Sequence, residues 1–308
     1  MKNMPIVSVV MITYNHENYI KEAIEGVLMQ ESNYQIELII ANDASSDTTD
    51  SVIESIIKNH PRGSWISSIK HENNIGMMPN FIFALEQCSG KYIALCEGDD
   101  YWTDPLKLQK QVGYLESNAE YVLCFHPVDI LKMDGSVVDD FITSLPENYQ
   151  SIETLARLGN FIHTPSVVFR NVLEEIPMEF YRSPIGDYFL YMMLLEHGEL
   201  KYISDKMAVY RYGVGVFSGT THSRRLQKEL IMLAGLLSYL KNENYKEILL
   251  NRYVLLVDEF QSSIESDCKI KTPPKPFFNR VINDIKRNYK HPNKILKKVY
   301  FKLSKQKY

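Results

Sequence analysis

The 308-residue chain lacks the features that announce many common protein classes. Its four cysteines, Cys88, Cys96, Cys124 and Cys268, form no CxxC pair and no zinc-ligand spacing, so neither a disulfide framework nor a structural zinc site is expected. Three of them sit in apolar runs and read as buried, reduced thiols. No uninterrupted apolar stretch reaches the ~20 residues that cross a bilayer. No cleavable leader is read either, because Met1 to Pro5 runs straight into a strand-like segment without a small-residue cleavage site. The net charge of -4 gives none of the basic footprint needed to track a nucleic-acid backbone, and nucleic acid is excluded as a partner. Internal repeats, low-complexity segments and a Ser-His-Asp or Cys-His signature are missing too. What remains is an ordinary composition, 45% hydrophobic and 23% charged, in a chain long enough to bury a large core. The expected location is cytoplasmic.

The first half alternates short β-branched runs with helical patterns. Ile6 to Tyr14 is almost continuously apolar, as in a strand covered on both faces. Apolar residues then recur at helical spacing from Glu17 to Gln30. Ile36 to Ala41 predicts a second strand, and Asp47 an N-cap for the next helix. Trp65 to Lys70 predicts a third strand, Pro79 to Gln87 a third helix, and Lys91 to Cys96 a fourth strand. Asp104-Pro105 opens another helix with a cap and an N1 proline. This alternation predicts an α/β fold with a mostly parallel sheet, whose ligands bind at the carboxyl ends of the strands. Beyond residue 120 the pattern is mixed: a hairpin turn at Asp134-Gly135, a strand from Ser166 to Arg170, a helix from Asp187 to His197, an extended stretch from Leu200 to Arg211, and helix from Arg225 to about Ser266. A Pro-rich break at 272–276 precedes a basic, amphipathic tail.

Polar clusters fall at the predicted strand ends. Asn42-Asp43-Ala44-Ser45-Ser46 follows the second strand, where the Asp43 carboxylate is suited to the N–H groups of a nucleotide base or to ribose hydroxyls. Alone, the cluster reads first as an ordinary turn with a helix cap. Glu97-Gly98-Asp99-Asp100 follows the fourth strand, and its three acids suit a hard divalent cation that neutralises a departing diphosphate.

Taken together, VSVVMITYNHENYIKEAIEGVLMQ, ELIIANDASSDTT and NNIGMMPNFIFALEQCSGKYIALCEGDDYWTDPLKLQKQV resemble the family 2 inverting glycosyltransferases. The resemblance spans roughly residues 5 to 115 and implies a GT-A fold, a Rossmann-like nucleotide-binding sheet with mixed strands, plus a C-terminal helical extension. It implies a glycosyltransferase domain over residues 1–222, with a nucleotide-sugar half at 1–118 and an acceptor half at 119–222. A helical extension at 223–270 and the Pro-rich break and tail at 271–308 would follow. By the same resemblance Thr13, Tyr14, Asn15, Asp43, Asn74 and Asp99 contact the nucleotide. Asp99 and Glu97 would hold Mg2+ or Mn2+, with Glu97 standing where the family's Asp-x-Asp begins. Asp100 and Trp102 would face the donor sugar or acceptor, a packing role for Trp102 being an equal alternative.

The family's catalytic base is an acid at a helix start, matched here by Asp187, which Gly186 precedes in place of the usual acid. Thr164 and Ser166 resemble acceptor-pocket positions. Arg211 or His222 would contact diphosphate from a late loop, a surface or helix-start role being the alternative. The implied reaction moves a sugar from a UDP-, dTDP- or GDP-sugar to a glycan or lipid-linked glycan acceptor in surface polysaccharide synthesis. Two other readings stay open: a GT-A scaffold that binds without turnover, and a sugar-nucleotide nucleotidyltransferase, which would need the glycine-rich loop that TYNHENY lacks. Contact of the basic tail with the inner face of a membrane, and self-association into a homo-oligomer, also stay open.

Overall fold

β-Branched runs that alternate with amphipathic helices cover both faces of every strand only when the strands lie parallel between helical layers. The computed structural model describes residues 7–215 and 220–267, the last four by backbone alone. The chain divides into two compact units, each assembled from separate segments. Among the described residues, the first comprises 7–151, 160–174 and 194–215. Its strands are β1 (Val7–Thr13), β2 (Ile36–Asn42), β3 (Ile66–Lys70), β4 (Tyr92–Leu95), β5 (Tyr101–Trp102), β6 (Tyr121–Phe125), β7 (Asp129–Leu131), β8 (Val137–Asp139), β9 (Val168–Arg170), β10 (Glu199–Tyr202) and β11 (Ala208–Arg211). Its helices are α1 (Ile20–Leu28), α2 (Thr49–Asn59), α3 (Met77–Glu86) and α4 (Lys107–Ser117).

Seven strands form the main sheet in the order β10-β6-β9-β4-β1-β2-β3. β1 pairs in parallel with β2 and β4, and β2 with β3, while β9 runs antiparallel to both β4 and β6. The β1–β2 register runs from Val7 opposite Ile36 to Thr13 opposite Asn42, so the loops that follow these strands leave the sheet side by side. A second, four-stranded sheet has the order β5-β11-β7-β8. The extended stretch read at 200–211 thus serves both sheets.

Val7, Val9 and Met11 of β1 and Ile20, Ala23, Ile24 and Val27 of α1 are fully buried in one core, at about 1.5–3 kcal/mol for each large side chain. α1 also lies hard against β5: a Cβ on Gly26 would stand 2.8 Å from the backbone nitrogen of Trp102. Helix starts differ slightly from the sequence reading. α2 begins at Thr49, yet the Asp47 carboxylate still accepts its first N–H at 3.0 Å. α4 begins two residues after Pro105, and Asp104 accepts the Leu106 N–H at 2.8 Å.

Among the described residues, the second unit comprises 152–159, 175–193 and 220–267. It is helical: α5 (Ile152–Leu158), α6 (Met178–Tyr181), α7 (Gly186–Leu194), α8 (His222–Tyr239) and α9 (Glu243–Asp267). The helical pattern of 225–266 is two helices, parted where Leu240 turns extended. The Tyr188 hydroxyl of α7 donates to Leu155 of α5 at 2.9 Å and accepts from Arg252 of α9 at 3.1 Å. This unit draws two segments from inside the stretch 119–222. None of the described helices is long and apolar enough to cross a membrane. The basic tail lies outside the described residues, as do Ser218 and Cys268.

Candidate active site

Three adjacent parallel strands, β4, β1 and β2, end in the polar clusters. After β2, Asp43 is buried, and its backbone N–H donates to Thr13 at 2.9 Å. Its carboxylate accepts the N–H of Ile75 at 2.7 Å and of Gly76 at 3.0 Å, and Asn74 donates through its amide to the Asp43 carbonyl at 3.2 Å. A carboxylate has about four acceptor sites, so each oxygen keeps capacity for a ligand. Asp43 therefore also shapes the loop before α3, where Gly76 takes φ of +93°.

After β1, Asn15 takes a left-handed φ of +56° and joins this loop to the next. Its N–H donates to Ser45 at 2.9 Å, and its side-chain oxygen accepts the Ser46 N–H at 2.9 Å. Tyr14 is 46% exposed, whereas the Thr13 hydroxyl is buried with no partner.

After β4 comes the acidic turn. Glu97, Asp99 and Asp100 each present an oxygen within 4.8 Å of the others. Burial, reinforced by Asp99 and Glu97, raises the Asp100 pKa well above the usual carboxylate range. One Asp100 oxygen accepts the Arg211 N–H at 2.8 Å, and the other is buried without a partner. An all-oxygen donor set of concentrated negative charge with an unsatisfied buried oxygen fits a hard cation such as Mg2+ or Mn2+. Gly98 lets the turn press on β1: a Cβ there would stand 2.8 Å from the Thr13 hydroxyl and 2.9 Å from His16 Nδ1. That nitrogen is buried and unpartnered, and burial lowers the His16 pKa against the opposing pull of Asp99 and Asp47.

Arg211 of β11 lies against the acidic turn. Its guanidinium donates to the Asp99 carbonyl at 2.6 Å, pairs with Glu22, and lies between the rings of Tyr19 and Tyr101, 5.0 and 4.8 Å from their centroids. Enclosed on these sides, it braces the acidic turn. The other late-loop candidate, His222, opens α8 in the second unit with Nε2 3.1 Å from Glu259.

Trp102 takes the packing alternative: it is 2% exposed, its indole donates to Pro165 at 2.9 Å, and Lys107 Nζ lies 4.2 Å from its ring. Ser166 is fully buried, and its hydroxyl donates to the His163 carbonyl at 2.6 Å. Thr164 is half-buried and opens the short turn Thr164–Ser166. Asp187 is half-buried in the first turn of α7, in the second unit. Cys96 and Cys124 are buried free thiols, the latter pushed up to about 12 by burial.

Sequence reading missed Glu22, the role of Arg211 and the reason for Gly98. Only the glycine between two acids hinted at any of them.

A family model described as Glycosyl transferase family 2 matches residues 8–177. An uncharacterised protein of Mycobacterium tuberculosis is 39% identical over 221 residues, 71% of this chain and 62% of its own length. The chain thus spans about three-fifths of that relative. The putative teichuronic acid biosynthesis glycosyltransferase TuaG of Bacillus subtilis is 32% identical over 138 residues, 45% of this chain and 52% of TuaG. Among solved structures, S. aureus TarS 1-349 in complex with UDP-GlcNAc aligns with a TM-score of 0.60 at 16% identity, over 83% of this chain and 80% of that 1-349 chain. The mannosyltransferase PcManGT of Pyrobaculum calidifontis, in complex with GDP-Man and Mn2+, aligns with a TM-score of 0.60 at 15% identity, over 98% and 86%. At such identities the structural likeness shows the fold, a GT-A fold, as the sequence predicted.

Proposed function

The chain belongs to the family 2 glycosyltransferases, its family model matching more than half of the sequence, and on that premise we propose that it moves a sugar from a nucleotide-diphosphate donor to an acceptor hydroxyl. The observation that carries the reading is the convergence of Thr13–Asn15, Asp43 and the acidic turn at the ends of three neighbouring parallel strands. In this reading a nucleotide base sits beside Asp43 and Asn74, with Tyr14, 46% exposed, near it. Glu97, Asp99 and Asp100 would hold a divalent cation, Mg2+ or Mn2+, which when bound offsets charge on the departing diphosphate. PcManGT, a structural neighbour, is seen with Mn2+.

Asp187 takes the proton of the acceptor hydroxyl as its oxygen attacks the anomeric carbon, whose bond to the diphosphate breaks on the opposite face. The transition state has oxocarbenium character, and a single displacement inverts the anomeric centre. As the first-turn acid of α7, Asp187 is stabilised as the carboxylate a base must be by the positive end of the helix. The resemblance to TuaG favours an acceptor in surface polysaccharide synthesis. Contact of the chain with a membrane surface through its basic tail belongs to the same reading.

The test is hydrolysis and binding of a panel of UDP-, dTDP- and GDP-sugars with Mg2+ or Mn2+, comparing wild type with Asp99→Asn and Asp187→Asn. Expected is turnover by wild type, lost in Asp187→Asn with donor binding kept, and loss of cation-dependent binding in Asp99→Asn. Absence of donor binding under every cation defeats the proposal. Binding without turnover by wild type supports a non-catalytic scaffold instead, a reading that Gly186, where the family carries an acid, keeps in play.

A further inference from the structure

Folding ordinarily covers large apolar side chains, and a patch left bare marks a place where something else binds. On and beside the β7–β8 hairpin, Met133 is 84% exposed, Phe141 54% and Tyr212 39%. The rings of Phe141 and Tyr212 meet edge to face, with centroids 5.4 Å apart and planes at 70°. Lys132 Nζ lies 5.3 Å from the Phe141 centroid. A Cβ on Gly213 would stand 3.1 Å from the Met133 sulfur, so the turn after β11 packs onto the same group.

The backbone that carries these side chains is held in place. The Tyr212 N–H donates to Leu131 at 2.9 Å, continuing the β11–β7 ladder. Asp140, next to Phe141, accepts the Ile142 N–H at 2.7 Å and the Thr143 hydroxyl at 2.6 Å. It also meets His163 Nε2 at 2.9 Å, and the His163 ring packs 5.0 Å from that of Tyr210.

One short segment of chain joins the patch to the acidic turn. Tyr212 directly follows Arg211, which is bonded to Asp99 and Asp100. Three residues on, a Cβ at Gly215 would lie 3.5 Å from an Asp99 carboxylate oxygen. The segment 211–215 therefore touches both.

Charge narrows the occupant. Residues 129–147 hold five acids (Asp129, Asp134, Asp139, Asp140, Glu147) and one base, Lys132. Lys206 pairs with Asp129 and Asp139, which still leaves the surface acidic. Anionic lipid is repelled by such a surface, whereas a neutral sugar offers an apolar ring face to an aromatic side chain and hydroxyls to carboxylates.

We propose that Phe141 and Tyr212 form an acceptor subsite, a platform on which a neutral sugar ring of the acceptor glycan stacks beside the acidic turn. This rests on the glycosyl-transfer reading above. The platform orients the acceptor and takes no part in bond making.

The experiment measures binding of neutral tetrasaccharides (cellotetraose, chitotetraose and mannotetraose) by saturation-transfer difference NMR in wild type, Phe141→Ala, Tyr212→Ala and Phe141→Trp. Donor binding and flotation with phosphatidylglycerol vesicles are followed in parallel. Expected is millimolar binding of at least one tetrasaccharide, weakened about fivefold in each alanine variant, the equivalent of about 1 kcal/mol of ring contact, and kept in Phe141→Trp. Donor binding is unchanged in all of them. Equal tetrasaccharide binding in all four proteins, or none in wild type, overturns the platform while donor binding leaves the transferase reading standing. Vesicle flotation lost in the alanine variants overturns it in favour of a membrane surface. Failure of wild type to bind any donor strikes the transferase reading itself.

Discussion

Alanine at position 98 tests whether the acidic turn works by close approach to β1. Gly98 is not among the residues with positive φ, so no left-handed backbone demands a glycine there. The demand is one of space: a Cβ would stand 2.8 Å from the Thr13 hydroxyl, 2.9 Å from Thr13 Cβ and 2.9 Å from His16 Nδ1. Carbon atoms settle at about 3.5–4.0 Å, so the turn or the end of β1 must give by roughly 0.6–1 Å. β1 has little freedom to do so, because Thr13 is 2% exposed and Gly98 itself donates to Ile12 at 3.0 Å. Overpacking of this kind costs about 1–3 kcal/mol, which for a domain of this size lowers Tm by roughly 2–10 °C. Displacing the Asp99 carboxylate by about 1 Å lowers donor turnover by about a hundredfold. Gly113→Ala is the control: it lies inside α4 with its nearest neighbour at 3.7 Å, and alanine there gains up to about 1 kcal/mol of helix propensity. Calorimetry and Mn2+ titration followed by water proton relaxation read both variants. A Gly98→Ala protein with wild-type Tm and wild-type Mn2+ affinity refutes the reasoning.

Asp43→Asn sets an amide nitrogen against one of two backbone N–H donors and costs about 1–3 kcal/mol locally. Hydrogen exchange of the Ile75 and Gly76 amides should quicken by tenfold or more, and unchanged protection would show that Asp43 does not hold that loop. Lys107 is fully buried beside Trp102, and burial lowers its pKa to about 7. The unfolded chain keeps this proton up to about pH 10.4, so the stability contributed by Lys107 rises with pH above 7 by about 1.4 kcal/mol per unit and is lost again as pH falls to 7. Denaturant titrations of wild type and Lys107→Met between pH 7 and 9 should diverge by that slope, wild type gaining; parallel curves sink the claim.

The parallel half of the fold was legible because its signals are local. Buried strands read as unbroken apolar runs, and the acids of 97–100 stand directly after one of them. Even helix starts missed by a residue or two kept their caps, since Asp47 and Asp104 bond backbone N–H groups whichever residue opens the helix. What sequence could not give was contact at long range. Nothing near Glu22 signals that it meets Arg211, 189 residues away. In sequence, polar or aromatic residues near a site, such as Ser166 and Trp102, read alike whether they face it or support it from below, and only the structure shows both to be buried. The interleaving of the two units was equally hidden, because residues 152–159 and 175–193 have no compositional border.

The brace on the acidic turn bears on how such enzymes could be recombined. Arg211 bonds both Asp99 and Asp100 from 111 or more residues away and is itself seated on Glu22, Tyr19 and Tyr101. The stretch 97–100, compact in sequence, is thus no cassette that can be cut out and grafted alone. A chimera that imports a relative's acidic segment without the matching arginine of β11 and glutamate of α1 would carry the acids and lose their scaffold. The smallest exchangeable part of this site is three distant pieces of chain, inherited together.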